Sequence, residues 1–260
     1  MPAAFIGHGT PMNALQHNRY TDAWAAVGKA VGRPRAVLVV SAHWYTTHSA
    51  LTAMERPRTI HDFFGFPEEL FAVQYPAPGD PELCAEIAEL VRPTWVGQDP
   101  DSWGIDHGAW SVLVHMFPEA SVPVLQLSLD ASKTMDDHLD LGRRLAPLRE
   151  RDVLVVASGN VVHNLRRLDH RRPDGAEVWA QRFDDAVLEV MTSSPGDVRA
   201  LTGHRDFAMA APTPDHWLPL LYLAGMAAEE GAHTETLVAG HAFGSLSMTS
   251  YTLGAIPGAL

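Results

Sequence analysis

Fourteen histidines occur in 260 residues, and several stand where a side chain can meet a ligand. His8 follows a short apolar run in FIGHGTPMNAL, His43 a second in VLVVSAHW, and His163 a third in VLVVASGNVVHNL. His216 stands in TPDHWLPLL, at an expected helix start, where the helix dipole disfavours a protonated ring. Gly7 and Gly9 flank His8, Ser41 precedes His43, and Gly159-Asn160 precede His163. Small residues of this kind let backbone and ligand approach closely. Imidazole is both the commonest metal ligand and the side chain that trades protons near neutral pH. The residues alone fit two readings. One is a shared metal site built from His8, His43, His163 and His216; the other is a set of ordinary hydrogen-bonded loop histidines. His107, in a loop between Trp103 and Trp110, fits an active-site acid or a substrate donor, with its neighbour Asp106 a candidate to orient it.

Strands and helices must bring these residues together. Ala36–Val40, Val122–Leu127 and Val153–Ala157 are apolar runs rich in β-branched residues, and Ala3–Ile6 is a shorter one. Such runs predict strands covered on both faces. Helices are predicted from Asp80-Pro81, over Val178–Met191 and from Thr213-Pro214. The alternation predicts an α/β fold: a single domain over residues 1–260, a central mixed sheet, and helices on both faces. Ligands of such sheets bind at the carboxyl ends of the strands, which is where the histidines are expected. Arg166 to Gly175 reads as a surface loop, His115 as a packed helix residue, and His61 as the start of an aromatic loop. His17, His48, His138, His170, His204, His233 and His241 read as surface or loop residues.

Composition removes several functions. With 19 Lys+Arg against 31 Asp+Glu, the net charge is -12, which argues against a nucleic-acid partner. One cysteine, Cys84, excludes a disulfide framework and a thiolate zinc cluster. The sequence has no apolar stretch of about 18 residues and no recognisable leader, so no membrane partner and a cytoplasmic location are expected. The GxSxG, GxxxxGK[ST], GxGxxG and HExxH motifs are absent.

Taken together, FIGHGTPMNAL, SAHW, IHDFFGFPEELF, YPAPGDPEL, DHGAWSVL, PVLQLSLD, ASGNVVHNL, PTPDHWLPLLY and GSLSMTSY resemble the DOPA-type extradiol ring-opening dioxygenases of the class III, LigB-like superfamily. The blocks run in order from Phe5 to Tyr251, nearly the whole chain. The resemblance implies one divalent metal ion, Fe(II) or Zn(II), with a small-molecule catechol and O2 as substrates. It matches His8, His43 and His216 to metal-binding histidines. His163 matches an active-site histidine, either a further ligand or an acid/base, and His107 a histidine beside the ligands. A histidine in the third ligand place departs from the two-histidine, one-carboxylate pattern usual for oxygen-activating iron. An all-nitrogen set also suits zinc. A zinc-dependent hydrolase on the same site and a non-enzymatic binding protein are therefore the alternatives. Trp44, Phe63, Phe64 and Phe66 are candidates to stack on the substrate ring or to pack in the core. A homo-oligomer is compatible with the sequence.

Overall fold

A computed structural model of the chain describes residues 1–256. In chain order the strands are β1 (Ala3–Gly7), β2 (Ala36–Thr46), β3 (Ala50–Thr52), β4 (Gly97–Asp99), β5 (Val124–Asp130), β6 (Val153–Gly159), β7 (Glu235–Val238), β8 (His241–Ala242), β9 (Leu246–Ser247) and β10 (Ser250–Leu253). The helices are α1 (Arg19–Val31), α2 (Glu68–Phe71), α3 (Pro81–Leu90), α4 (His107–Met116), α5 (Met135–Leu145), α6 (Val178–Ser193), α7 (Phe207–Ala210) and α8 (Leu218–Glu229).

Eight strands form one mixed sheet in the order β4-β3-β5-β2-β6-β1-β10-β7, and β8 pairs with β9 beside it. The middle strands β5, β2, β6 and β1 are parallel. Their side chains alternate between two apolar cores. Phe5, Leu38, Val40, Leu127 and Val155 join Leu83, Phe183 and Leu221 on one face. Ile6, Val37, Val39, Leu154 and Val156 join Trp24, Trp110 and Leu113 on the other. Both faces are covered, so β1, β2 up to Val40 and β6 up to Ala157 read as unbroken apolar runs, whereas β5 (VLQLSLD) interposes the buried polar residues Gln126 and Ser128.

The sequence places the helix starts by chemistry. Asp80 caps α3 through the Leu83 amide, with Pro81 at the first helical position. Asn18 with Thr21, and Thr134 with Asp137, form capping boxes on α1 and α5. Asp106 caps α4 by accepting from the Ala109 amide. That cap makes His107 the first residue of a helix, although its sequence suggests a loop. The helix expected from Pro214 also starts later, at Leu218. Residues 214–217 form a turn closed by the Trp217 and Leu218 amides on the Pro214 carbonyl. Pro219 lacks an N–H and is tolerated only in a first turn, so it fixes the start of α8 there.

Candidate metal centre

Parallel strands share one carboxyl edge, and the histidines gather on it. His8 leaves β1 directly after Gly7, and its amide donates to the Gly159 carbonyl at the end of β6 (3.2 Å). His43 lies inside the longer β2, beyond the last pairing with β6 at Ser41. The register of β2 on β5 slips between Val40 and Tyr45. Such an irregularity re-aims side chains at a sheet rim, and this one carries His43. His163 lies four residues past β6, and its amide donates to the Ala210 carbonyl. His216 stands in the turn before α8, and its carbonyl accepts from the Asn160 amide (2.9 Å).

Three imidazoles form a near-equilateral triangle. Ring centroids are 5.1 Å apart for His8 and His43, 5.4 Å for His8 and His216, and 5.0 Å for His43 and His216. The Nε2 atoms of His8 and His43 are 3.2 Å apart. Hydrogen bonds fix which nitrogen of each ring is free. The Ser158 hydroxyl donates to the Gly108 carbonyl (2.6 Å), so it must accept from His8 Nδ1 (2.9 Å). His43 Nδ1 faces Asp62 Oδ2 at 3.1 Å, and His216 Nδ1 contacts the Asp215 carboxylate. A carboxylate only accepts, so both Nδ1 atoms carry hydrogen. Each of the three rings is therefore left with an Nε2 that these partners do not engage. His216 Nε2 is buried and has no hydrogen-bond partner among the described residues. With metal–nitrogen bonds of about 2.0–2.1 Å, two imidazole nitrogens on one ion lie roughly 3.0–3.4 Å apart. The His8–His43 pair has that spacing, so these two rings fit ligands of one divalent cation, and the free, buried Nε2 of His216 is a further nitrogen donor beside them.

Two further histidines complete the cluster. His107 lies with its ring centroid 3.8 Å from that of His43. Its Nδ1 and its backbone amide each lie 3.0 Å from Asp62 Oδ1. His8, His43 and His107 can present ligand atoms within 4.8 Å of one another, and so can His163, Asp215 and His216. The His163 ring stacks flat on His216, with centroids 3.4 Å apart and planes 3° apart. Parallel rings present their nitrogens side by side. Gly108 is what lets α4 come this close, since a Cβ there would lie 2.7 Å from His43 Cδ2 and from Ser41 Oγ.

Burial and charge act differently on these rings. Burial, reinforced by neighbouring histidines, holds His8 and His216 well below their ordinary pKa. Burial also lowers His107, with His43 adding to the effect, and brings His163 down to about 4. His43 is the exception. Burial works against its charge, yet Asp62, Asp106 and Asp215 outweigh it and raise its pKa. Asp62 is itself held far below the usual carboxylate range by His107 and His43, although burial opposes this. An outer ring of carboxylates thus surrounds an inner set of mostly neutral imidazoles.

Several assignments differ from the sequence reading. Asp62, not Asp106, faces His107. Asp106 instead accepts from Ser41 Oγ (2.7 Å), Gln126 Nε2 (2.7 Å) and Trp103 Nε1 (3.2 Å), because its position as the cap turns it back into the sheet. Asp62 lies in the IHDFFGFP block, but 45 residues separate it from His107, and only the fold joins them. His138 and His241 are buried, not surface residues. His138 lies between the Tyr222 hydroxyl (2.9 Å) and the Asp130 carbonyl (3.2 Å). His241 faces Asp184 at 3.7 Å. Among the aromatic candidates, Phe63 approaches the His107 ring edge-on at 5.4 Å, and Trp44 stacks on Trp103. Phe66 packs against one core, whereas Phe64 is 92% exposed.

Comparison with known proteins gives a consistent result. A family model described as the catalytic LigB subunit of aromatic ring-opening dioxygenase matches residues 2–254. The "4,5-DOPA dioxygenase extradiol" of Escherichia coli (strain K12) is 46% identical over 259 residues, covering 98% of this chain and 95% of that protein. A protein of the same name from Beta vulgaris is 35% identical over 235 residues, with 86% of each chain covered. Among solved structures, an uncharacterized protein from Escherichia coli K12 superposes with a TM-score of 0.84 at 42% identity, covering 98% of this chain and all of that one.

Proposed function

The chain belongs to the LigB family of aromatic ring-opening dioxygenases, and from that premise we propose that it opens the ring of a DOPA-like or other substituted catechol beside its hydroxyls, using O2. The whole chain serves as one catalytic domain in this reading. The observation that carries it is the cluster of the His8, His43 and His216 rings, with centroids 5.0–5.4 Å apart and each ring's Nδ1 engaged by Ser158, Asp62 or Asp215 so that Nε2 is left free. These three residues would hold one divalent metal ion. Bound Fe(II) would pass electrons from the catechol to O2, whereas zinc has no redox step to offer.

The protein's own part is to orient the ligands, hold the substrate and move protons. Ser158, Asp62 and Asp215 keep the three rings turned inward, and partners of this kind fix the tautomer of a ligating histidine. Stacked beside His216 with a depressed pKa, His163 is neutral at pH 7 and free to take a catechol hydroxyl proton. Its side-by-side stacking suits a proton acceptor better than a fourth ligand. His163 can later return that proton, and His107, beside His43 with its Nδ1 3.0 Å from Asp62, can relay a proton from one ring nitrogen to the other. Phe63, edge-on to His107, offers an apolar wall for an aromatic ring.

No helix among the described residues is long and apolar enough to cross a membrane. We propose a cytoplasmic location, with which a sequence holding one cysteine, Cys84, is compatible. Loading with iron under anaerobic conditions, then adding air and a catechol, tests the function. The iron form should consume O2 and give a product absorbing in the visible, while the zinc form should do neither. Silence of the iron form with simple catechols, DOPA and caffeate would remove the oxygenase reading. Hydrolysis by the zinc form alone would favour the hydrolase.

A further inference from the structure

Outside the histidine cluster, Asp184 is a deeply buried carboxylate that accepts from two buried hydroxyls. Asp184, in α6, is 3% exposed. It accepts from two hydroxyls: Ser247 Oγ on Oδ1 and Thr249 Oγ1 on Oδ2, both at 2.6 Å. Each hydroxyl also accepts from the backbone. The Thr249 amide donates to Ser247 Oγ (3.2 Å), and the Gly240 amide donates to Thr249 Oγ1 (3.3 Å). Two hydrogen-bond chains therefore start in the segment 240–249 and end on one carboxylate. Both hydroxyls have spent their protons on it, so the site calls for two acceptor oxygens. Burial pushes the Asp184 pKa up, and His241 and the two hydroxyls work against that rise.

The segment held in this way grips both histidine-bearing loops. The Ser247 amide donates to the Val162 carbonyl (2.9 Å), and Asn160 Nδ2 donates to the Ser247 carbonyl (2.7 Å). The Asn164 amide donates to the Ser245 carbonyl, and Ser245 Oγ donates to the Asn164 carbonyl. Leu246 bridges His163 directly. On the other side Met248 closes on the His8 turn, where a Cβ on Gly7 would lie 2.7 Å from the Met248 carbonyl carbon. The Gly7 amide donates to Ser250 Oγ (3.0 Å).

We propose that Asp184 is a positioning residue for the metal centre, anchoring segment 240–249 so that the loops bearing His8 and His163 are held in register. The inference rests on the reading of His8 as a metal ligand. An Asp184→Asn variant keeps the shape but replaces one acceptor with a donor, leaving one hydroxyl proton without a partner.

The test uses hydrogen exchange of the metal-free protein together with cobalt(II) titration. In Asp184→Asn, exchange should speed up in the segments around residues 7–9 and 160–164, and not in α4. Cobalt affinity should fall about tenfold, with an altered visible spectrum. Ser247→Ala and Thr249→Val each remove one arm. They should show smaller shifts in the same direction, and they stand in for Asp184→Asn if that variant fails to fold. Unchanged exchange and an unchanged cobalt spectrum in the folded variants would overturn the proposal. If wild-type protein binds no cobalt, the metal reading fails. The exchange result then still decides whether Asp184 anchors the two loops.

Discussion

The Nε2 atoms of His8 and His43 face each other at 3.2 Å, while the other nitrogen of each ring is already committed to Ser158 or Asp62. Two lone pairs at that distance need something positive between them. In the metal-free protein a proton on His43 meets that need, and although burial opposes the charge, Asp62, Asp106 and Asp215 raise its pKa. In the working protein we assign the place to a metal ion.

The pH dependence of metal binding follows from this arrangement. His8 and His216 have depressed pKa values and carry no competing proton near neutrality. His43 has a pKa above its ordinary 6.5. Below that raised value the metal must displace one proton. Apparent zinc affinity should therefore fall about tenfold per pH unit, with a slope of one proton and not three. Competition with a chelator between pH 5 and about 8 measures the slope.

Ser158→Ala should leave the fold intact and weaken the metal centre. It removes the acceptor for His8 Nδ1 and the donor to the Gly108 carbonyl. The ring can then present the wrong nitrogen. Loss of such a partner typically costs about 10–100-fold in metal affinity, which isothermal titration with zinc should register.

Gly108→Ala tests the close approach of α4. In an open helix this change would add up to about 1 kcal/mol of stability. Here the new methyl group meets His43 and Ser41. Overpacking should reverse the sign, at a cost of about 1–3 kcal/mol. Urea denaturation reports the cost, and metal content should fall with it.

His163→Ala separates a proton acceptor from a ligand. The variant should retain its metal and lose about 100- to 10,000-fold in kcat. Loss of the metal instead would make His163 a fourth ligand. Metal analysis beside steady-state kinetics gives the answer.

Much of this molecule can be read from its sequence, for physical reasons that also mark where the reading stops. The runs Ala36–Val40 and Val153–Ala157 are apolar at every position, and they are the central strands because both faces of the sheet are covered. His8, His43 and His163 stand at the edge their strands predict, since a strand end fixes its neighbours. Pairing between side chains is different. Asp106 is beside His107 in sequence but is turned away by its role as a helix cap, and Asp62 replaces it across 45 residues. His138 shares the buried face of α5 with Leu141 and Leu145, three and seven residues on, whereas His241 has no such local pattern; each is buried against a partner far along the chain. Long-range partners of this sort leave no periodic trace in a single sequence.

We propose that His8, His43 and His216 converge on one ion through Nε2. X-ray absorption spectroscopy of the zinc-loaded protein tests it most directly. The expected result is one metal per chain with three imidazole nitrogens at about 2.0–2.1 Å, falling to two imidazoles or to no bound metal in each His→Ala variant. A wild-type spectrum with fewer than three imidazoles, or one unchanged by removal of His8, His43 or His216, would contradict it.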